Sequence, residues 1–271
     1  MKVHLITVVG GHHVQLLDQT LQHYHNLGIS SFLVHANLRN PEDTALNDLQ
    51  FIANKFGFGI ASVSYGDHAA AQRAAWKSRQ RFPDDWYLIV DADEFQVFPA
   101  PLVDILENCE RKGYDHVKGC FLDRVASDGI LRKLSPQQAI WTQYPVGLFL
   151  TYPLLRGDPR KVVAAKGHVE MSSHGHHNAI SERGCPITEY FIPVHHFKWV
   201  EGVIEALEHR IHSIRSTSPS DHWRESQRFI DYYKKNGKID INNPSWMAGL
   251  CSPDYPHWER IRDLFLQLGF H

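Results

Sequence analysis

Residues 86–99 read WYLIVDADEFQVFP. Trp86 to Val90 is an apolar run of buried-strand length, and it ends directly on Asp91, Asp93 and Glu94. A strand covered on both faces has no reason to end in acids unless that end opens on a place of polar chemistry. Two residues apart on a strand, Asp91 and Asp93 point the same way, and in the bend after Val90 they can converge on one divalent cation. Hard carboxylate oxygens suit magnesium or manganese, which bridges phosphates and neutralises the charge on a departing group. Glu94 is placed to orient a ligand water, to receive a hydroxyl or to form a supporting salt bridge. A solvated turn or a set of helix caps is the plainer reading of the same residues. Phe95, Val97 and Phe98 then restore an apolar wall that stiffens the bend.

Working outward, the flanking sequence explains why this strand end matters. Val3 to Val9 reads as a buried strand, and Gly10-Gly11 permits a tight turn. Val14, Leu16, Leu17, Leu21 and Tyr24 then repeat at helical spacing, and Asn26-Leu27-Gly28 stops the helix. Ser31–His35 and Ile60–Ser64 read as strands, Ala45–Phe56 and the Ala-rich Ala69–Arg81 as helices, and Pro83-Asp84-Asp85 separates the last helix from Trp86. Strand and helix alternate over the first hundred residues. The fold class is therefore α/β, with a mostly parallel central sheet flanked by helices and ligands bound beyond the carboxyl ends of its strands. Leu102–Arg111 continues as a helix and His116–Asp123 as a strand. The pattern then loosens into short strands and loops through Ile192, before helices over 201–215, 223–235 and 257–268.

A chain of 271 residues with 43% hydrophobic and 21% charged residues builds a substantial core. A formal charge of −2 gives no electrostatic footprint for nucleic acid. The four cysteines are widely spaced and form no CxxC pair, which fits a reducing compartment. The opening MKVHLITVVGG is too short an apolar run to span a bilayer. The expectation is a soluble, cytoplasmic protein, open to peripheral membrane contact.

The chain holds 19 histidines. In IPVHHFKW, His195 and His196 face opposite sides of a strand, so one of them is a candidate third metal ligand, with His196 preferred. In SSHGHHNAI, around Gly175, His176, His177 and Asn178 are candidates to hydrogen-bond a diphosphate or sugar hydroxyls, against the plainer reading of surface loop histidines. Lys166 and Lys198 are candidates to meet phosphate charge. Trp199 reads as packing. The sequence contains no HExxH, no GxxxxGK[ST] and no complete GxGxxG, which disfavours a zinc protease, a P-loop enzyme and a nicotinamide enzyme in turn.

Taken together, the first strand with HYHNLG, AAQRAAWKSRQRF, WYLIVDADEF, FLDRVASDG, KGHVEMSSHGHHN and VHHFKW resemble the nucleotide-diphospho-sugar glycosyltransferases of the GT-A fold. The likeness is to family-2-like bacterial enzymes related to the glycosyltransferase family 92 group. It implies a single catalytic domain over 1–271, with a nucleotide-sugar-binding half over about 1–100 and an acceptor-side half with C-terminal helices over 101–271. It further implies a sugar nucleotide reached by Asp91 and Asp93 through Mn2+ or Mg2+, with His196 completing the metal site. Val8, Gly10 and Gly11 would border the nucleoside, and Asp67, Gln72 and Arg73 would lie near base, ribose or phosphate. Asp67 has a second reading as a helix cap, and Arg73 as a solvated helix charge.

The reaction so implied moves a hexosyl group from a nucleoside diphosphate to an acceptor hydroxyl, with inversion as the expected course. A carboxylate then has to take the acceptor proton, and Asp123, Glu170 and Glu182 are the candidates. Asp123 is preferred for its place at a strand end beside Arg124, although an ordinary salt bridge explains it as well. The acceptor classes open to such a site are a glycan, a lipid-linked saccharide, a protein or a small molecule. The competing readings are a metal-dependent phosphodiesterase or nucleotidyltransferase, and a noncatalytic carbohydrate-binding protein on the same fold.

Overall fold

The computed structural model describes residues 1–10, 13–135, 137–171, 176–217, 223–246, 249–250 and 258–270. In chain order the elements are β1 (Val3–Gly10), α1 (Val14–Asn26), β2 (Phe32–Leu38), α2 (Ala45–Phe56), β3 (Ile60–Tyr65), α3 (His68–Arg79), β4 (Trp86–Ile89), β5 (Glu94–Gln96), α4 (Leu102–Arg111) and β6 (His116–Val125). There follow α5 (Ile140–Gln143), β7 (Val146–Leu148), β8 (Arg160–Lys166), β9 (Gly184–Cys185), β10 (Ile192–His196), α6 (Val203–Thr217), α7 (Trp223–Asn236), β11 (Gly249–Leu250) and α8 (Trp258–Gln267). The chain forms two compact units. One takes residues 1–120, 160–194 and 260–271, the other 121–159 and 195–259, so residue 100 falls inside the first.

In the first unit, β4, β1, β2 and β3 run parallel in that order. The register sets Ile6 beside both Leu33 and Ile89, so β1 is a central strand. All four residues of β4 are buried, whereas β3 alternates half-buried and exposed positions, as an edge strand does. Helix α1 buries Val14, Leu16, Leu17, Leu21 and Tyr24 on one stripe. Helix α2 ends at Gly57, whose φ of 71° is the left-handed turn that glycine allows. Helix α3 packs against β1, β2 and β3.

Beyond β4 the sheet reverses direction. Strand β8 lies antiparallel to β4, with Trp86 opposite Lys166 and Leu88 opposite Ala164, and the first half of β6 lies antiparallel to β8. The parallel sheet read from sequence is thus the four-stranded part β4-β1-β2-β3, and the stretch expected to be loose supplies antiparallel neighbours. Ile6, Ala75, Tyr87, Ile89, Val162, Ala165 and Val169 share one buried cluster of this unit.

The second unit takes the far half of β6, where Asp123 pairs with Leu148 of β7, and β11 pairs with β7 on its other side. Helices α6 and α7 pack together, and the Trp199 ring stacks on Phe229 at 3.9 Å. Val125, Leu148, Leu150, Leu207, Phe229 and Trp246 belong to its core. Among the described residues no helix is long and apolar enough to cross a membrane.

Candidate functional site

The acidic end of β4 is a rigid turn held from beneath by α1. Thr20 Oγ1 donates to the Ala92 carbonyl at 2.5 Å. Tyr24, fully buried, donates its hydroxyl to the Glu94 carbonyl at 3.2 Å and accepts from the Gln96 amide at 3.1 Å. Inside the turn, the Asp91 amide donates to Glu94 Oε2 at 3.1 Å and the Glu94 amide to the Asp91 carbonyl at 3.0 Å. Satisfying these backbone groups fixes where the carboxylates stand.

Lys161 of β8 stands among those carboxylates. Its Nζ donates to Asp91 Oδ2 and to Glu94 Oε1, each at 2.9 Å. The lysine and Glu94 side chains are 1% exposed, while Asp91 keeps 39% of its side chain open. Burial works to raise the Asp91 pKa, but Lys161 and then His176 oppose it and leave it at about 2. For Lys161, burial acts downward, and the two carboxylates outweigh it and carry the ammonium above the usual lysine range.

Asp91 lines a cavity of about 330 Å³ beyond the carboxyl ends of β1 and β4. One wall is Ile6, Thr7 and Val8 of β1, and another is the face of α3 that carries His68, Gln72, Arg73, Trp76 and Arg79. Glu170, Met171 and His176 complete it. Arg79 is buried, donates through Nη2 to the carbonyls of Lys166 at 3.0 Å and Val169 at 2.8 Å, and has its pKa lowered to about 10 by that burial. It stays charged at neutral pH. Burial and then the neighbouring Lys161 push the His176 pKa down to about 3, so its ring is neutral. Among the described residues, Thr7 Oγ1, Arg79 Nε and His176 Nδ1 are buried polar atoms without a hydrogen-bond partner. A cavity with apolar walls and a few polar atoms of this kind is the form of a small-molecule site.

Of the residues expected from sequence, the cavity gathers Val8, Gln72, Arg73, Asp91, Glu170 and His176. Gly10 ends β1 opposite Asn37, and Gly11 lies outside the described residues, as do His174 and Gly175. Asp67 is the cap of α3: its Oδ1 accepts from the Ala70 amide at 2.8 Å, and Arg73 pairs with it loosely at 3.6 Å on the surface. His177 is paired with the Arg160 carbonyl at 2.6 Å through Nδ1, and neither it nor Asn178 lines the cavity. Glu182 is exposed and away from the lining.

Lys166 sits opposite Trp86, at the amino end of β4, where its Nζ binds Glu110 at 2.7 Å; the antiparallel register puts Lys161, not Lys166, at the acidic end. Lys198, in the second unit, lies over the Trp199 ring at 5.2 Å.

In that second unit Asp123 is fully buried. Its Oδ2 accepts from the amides of Leu150 at 3.1 Å and Thr151 at 3.0 Å and from Thr151 Oγ1 at 3.0 Å. Its Oδ1 accepts from Trp199 Nε1 at 2.8 Å, with His196 Nδ1 at 3.4 Å. Burial acts to raise this carboxyl's pKa, and His196, Trp199 and Thr151 together hold it below the ordinary value. A carboxylate so enclosed ties β6 to the chain around it. His196 stacks on Phe121 at 4.8 Å and faces Asp123.

Among the described residues no three His, Cys, Asp or Glu side chains gather as a metal cage. Asp93 is buried at 4% exposure outside the cavity lining, His196 is engaged with Asp123, and the inner oxygen of Asp91 already takes the Lys161 ammonium.

Sequence reading missed Lys161, Arg79 and Trp76. A lone lysine leading the apolar run KVVAA was the available signal for the first. For the α3 pair it was their spacing from Gln72, since residues 72, 76 and 79 share one helix face.

No family profile and no curated protein sequence matches the chain. Among solved structures it is similar to S. aureus TarS 1–349 in complex with UDP-GlcNAc, at 14% identity over 88% of this chain and 75% of that one, with a TM-score of 0.43. It is also similar to TarS 1–349 in complex with UDP, at 12% identity over 90% of this chain and 74% of that one, with a TM-score of 0.42.

Proposed function

We propose that the chain is a GT-A-type glycosyltransferase that moves a hexosyl group from a nucleoside diphosphate to an acceptor hydroxyl. The observation that carries the reading is the cavity of about 330 Å³ beyond the carboxyl ends of parallel β1 and β4, with Asp91 at one end and Gln72, Arg73, Trp76 and Arg79 along α3. Ligands of open α/β sheets bind at such strand ends. Trp76 offers an aromatic face to a base, Val8 an apolar border to the nucleoside, and Arg73 with Arg79 the positive charge a diphosphate needs. Asp91, ionised at neutral pH, is an acceptor for sugar hydroxyls. Glu170 is the carboxylate of the three candidates that lines the cavity, and it takes the acceptor proton in an inverting displacement. A cytoplasmic location, where sugar nucleotides are at hand, belongs to the same reading.

The test is a screen of UDP-, GDP- and dTDP-hexoses with the purified chain, reading products by mass and unfolding temperature in the same samples. One donor should raise the unfolding temperature and slowly release hexose and nucleoside diphosphate. Arg73→Ala should weaken its binding by about tenfold, the loss of one charge-assisted contact. Glu170→Gln should keep donor binding and lose transfer. Release of pyrophosphate or of a nucleoside monophosphate would move the assignment to a nucleotidyltransferase or phosphodiesterase, and binding of saccharide without turnover to a carbohydrate-binding protein.

A further inference from the structure

The acidic turn after β4 already contains a cation. Lys161 Nζ lies 2.9 Å from Asp91 Oδ2 and 2.9 Å from Glu94 Oε1, with its side chain 1% exposed. The position is set by backbone pairing, because β8 is hydrogen-bonded to β4 on one side and to β6 on the other. In β6 the residue opposite Lys161 is Gly119. A Cβ on that glycine would come within 2.6 Å of the Ile192 carbonyl and 2.7 Å of a Val163 methyl, so the sheet is closely packed at this pairing. The ammonium is not a surface charge that swings aside.

A divalent ion entering from the cavity would meet Asp91 with one oxygen taken and a fixed positive charge directly behind it. Like charges at such range repel strongly in a medium of low polarity. Asp93, 4% exposed, lies outside the cavity lining. Two cavity arginines, Arg73 and Arg79, stand where the negative charge of a ligand can be met without a metal.

We propose that Lys161 stands in for the divalent cation in this chain: its ammonium holds the Asp91 carboxylate in place at the cavity, and the site binds its nucleotide without metal. Lys161 is a positioning residue, acting through Asp91. The nucleotide part rests on the function proposed above, whereas the cation part stands on the Lys161 geometry alone.

The experiment is a titration of the whole chain with Mn2+, followed by the electron paramagnetic resonance of the free ion, in parallel with nucleoside diphosphate binding measured in EDTA and in Mn2+. Wild type should show no saturable Mn2+ site, and any nucleoside diphosphate that binds should do so equally, within about twofold, in both buffers. Lys161→Met, which keeps the stem and removes the charge, should gain a Mn2+ site and an unfolding temperature that rises with Mn2+, and Asp91→Asn on that background should lose both. A structural role alone would not create a metal site. Saturable Mn2+ binding by wild type that Asp91→Asn abolishes would overturn the proposal, as would nucleotide binding lost in EDTA or a folded Lys161→Met that ignores Mn2+. Should Lys161→Met not fold, the wild-type titration decides. Should no nucleoside diphosphate bind in either buffer, the glycosyltransferase reading fails while the Mn2+ titration still judges Lys161.

Discussion

Asp123 is enclosed by donors from Leu150, Thr151 and Trp199, with the His196 ring 3.4 Å away, and loss of its carboxylate leaves several buried groups unpaired at once. Asp123→Ala should therefore cost about 3 kcal/mol in urea unfolding, against about 0.5 kcal/mol or less for Glu182→Gln on the surface. His176 and Asp91 at the cavity weaken the fold in acid. Unfolded, His176 binds a proton near its ordinary 6.5; folded, it does so at about 3, so stability falls as the pH drops through that window. Asp91 continues the decline between 3.8 and about 2, where the Lys161 pair loses its carboxylate charge. His176→Gln should flatten the slope above pH 4 and leave the lower part in place, as read by denaturation at a series of pH values. Residue types marked the acidic strand end at Asp91 because polarity at the end of a buried strand is a local signal. They did not tell which lysine serves it. Lys161 and Lys166 flank the same strand, and only the register of β8 against β4 separates the lysine that pairs with Asp91 from the one that pairs with Glu110.

Helix α3 presents the cavity wall, and its start depends on Asp67. Asp67→Ala should cost about 1 kcal/mol of stability and Asp67→Asn much less, since asparagine caps comparably. Nucleotide affinity should change little in either, as Asp67 is outside the cavity lining; a large loss of affinity in Asp67→Asn would return it to the ligand. Strand β6 makes its own demand at Gly119, where a methyl group would press on Ile192, Val163 and Val194. Gly119→Ala should destabilise by about 1–3 kcal/mol in the same assay. Elements with strong local periods were legible: Ala45–Phe56 and Leu102–Arg111 are helices over the residues expected, and β1 and β4 differ by a single residue from expectation. β7 and β8 were not marked out as strands, because their partners lie far along the chain and runs of three to seven residues carry little period of their own.

At the scale of the molecule, occupancy of the cavity is a stability measurement. A nucleotide that binds only the folded protein at about a hundred times its Kd should add about 2.7 kcal/mol to unfolding. That increment should shrink in Arg73→Ala and persist in EDTA. The alternating first hundred residues made the parallel sheet predictable. The division of the chain was not, since two units that each draw on separated stretches leave no linker for composition to mark.

That interleaving has a consequence for synthesis. Residues 260–271 belong to the first unit, where Phe265 is buried and meets Phe191 at 6.1 Å and Phe270 at 4.9 Å. Every residue of the second unit is translated before them. The unit begun first on the ribosome is the one completed last, and until α8 emerges the apolar surface that Phe265 covers stays bare to chaperones.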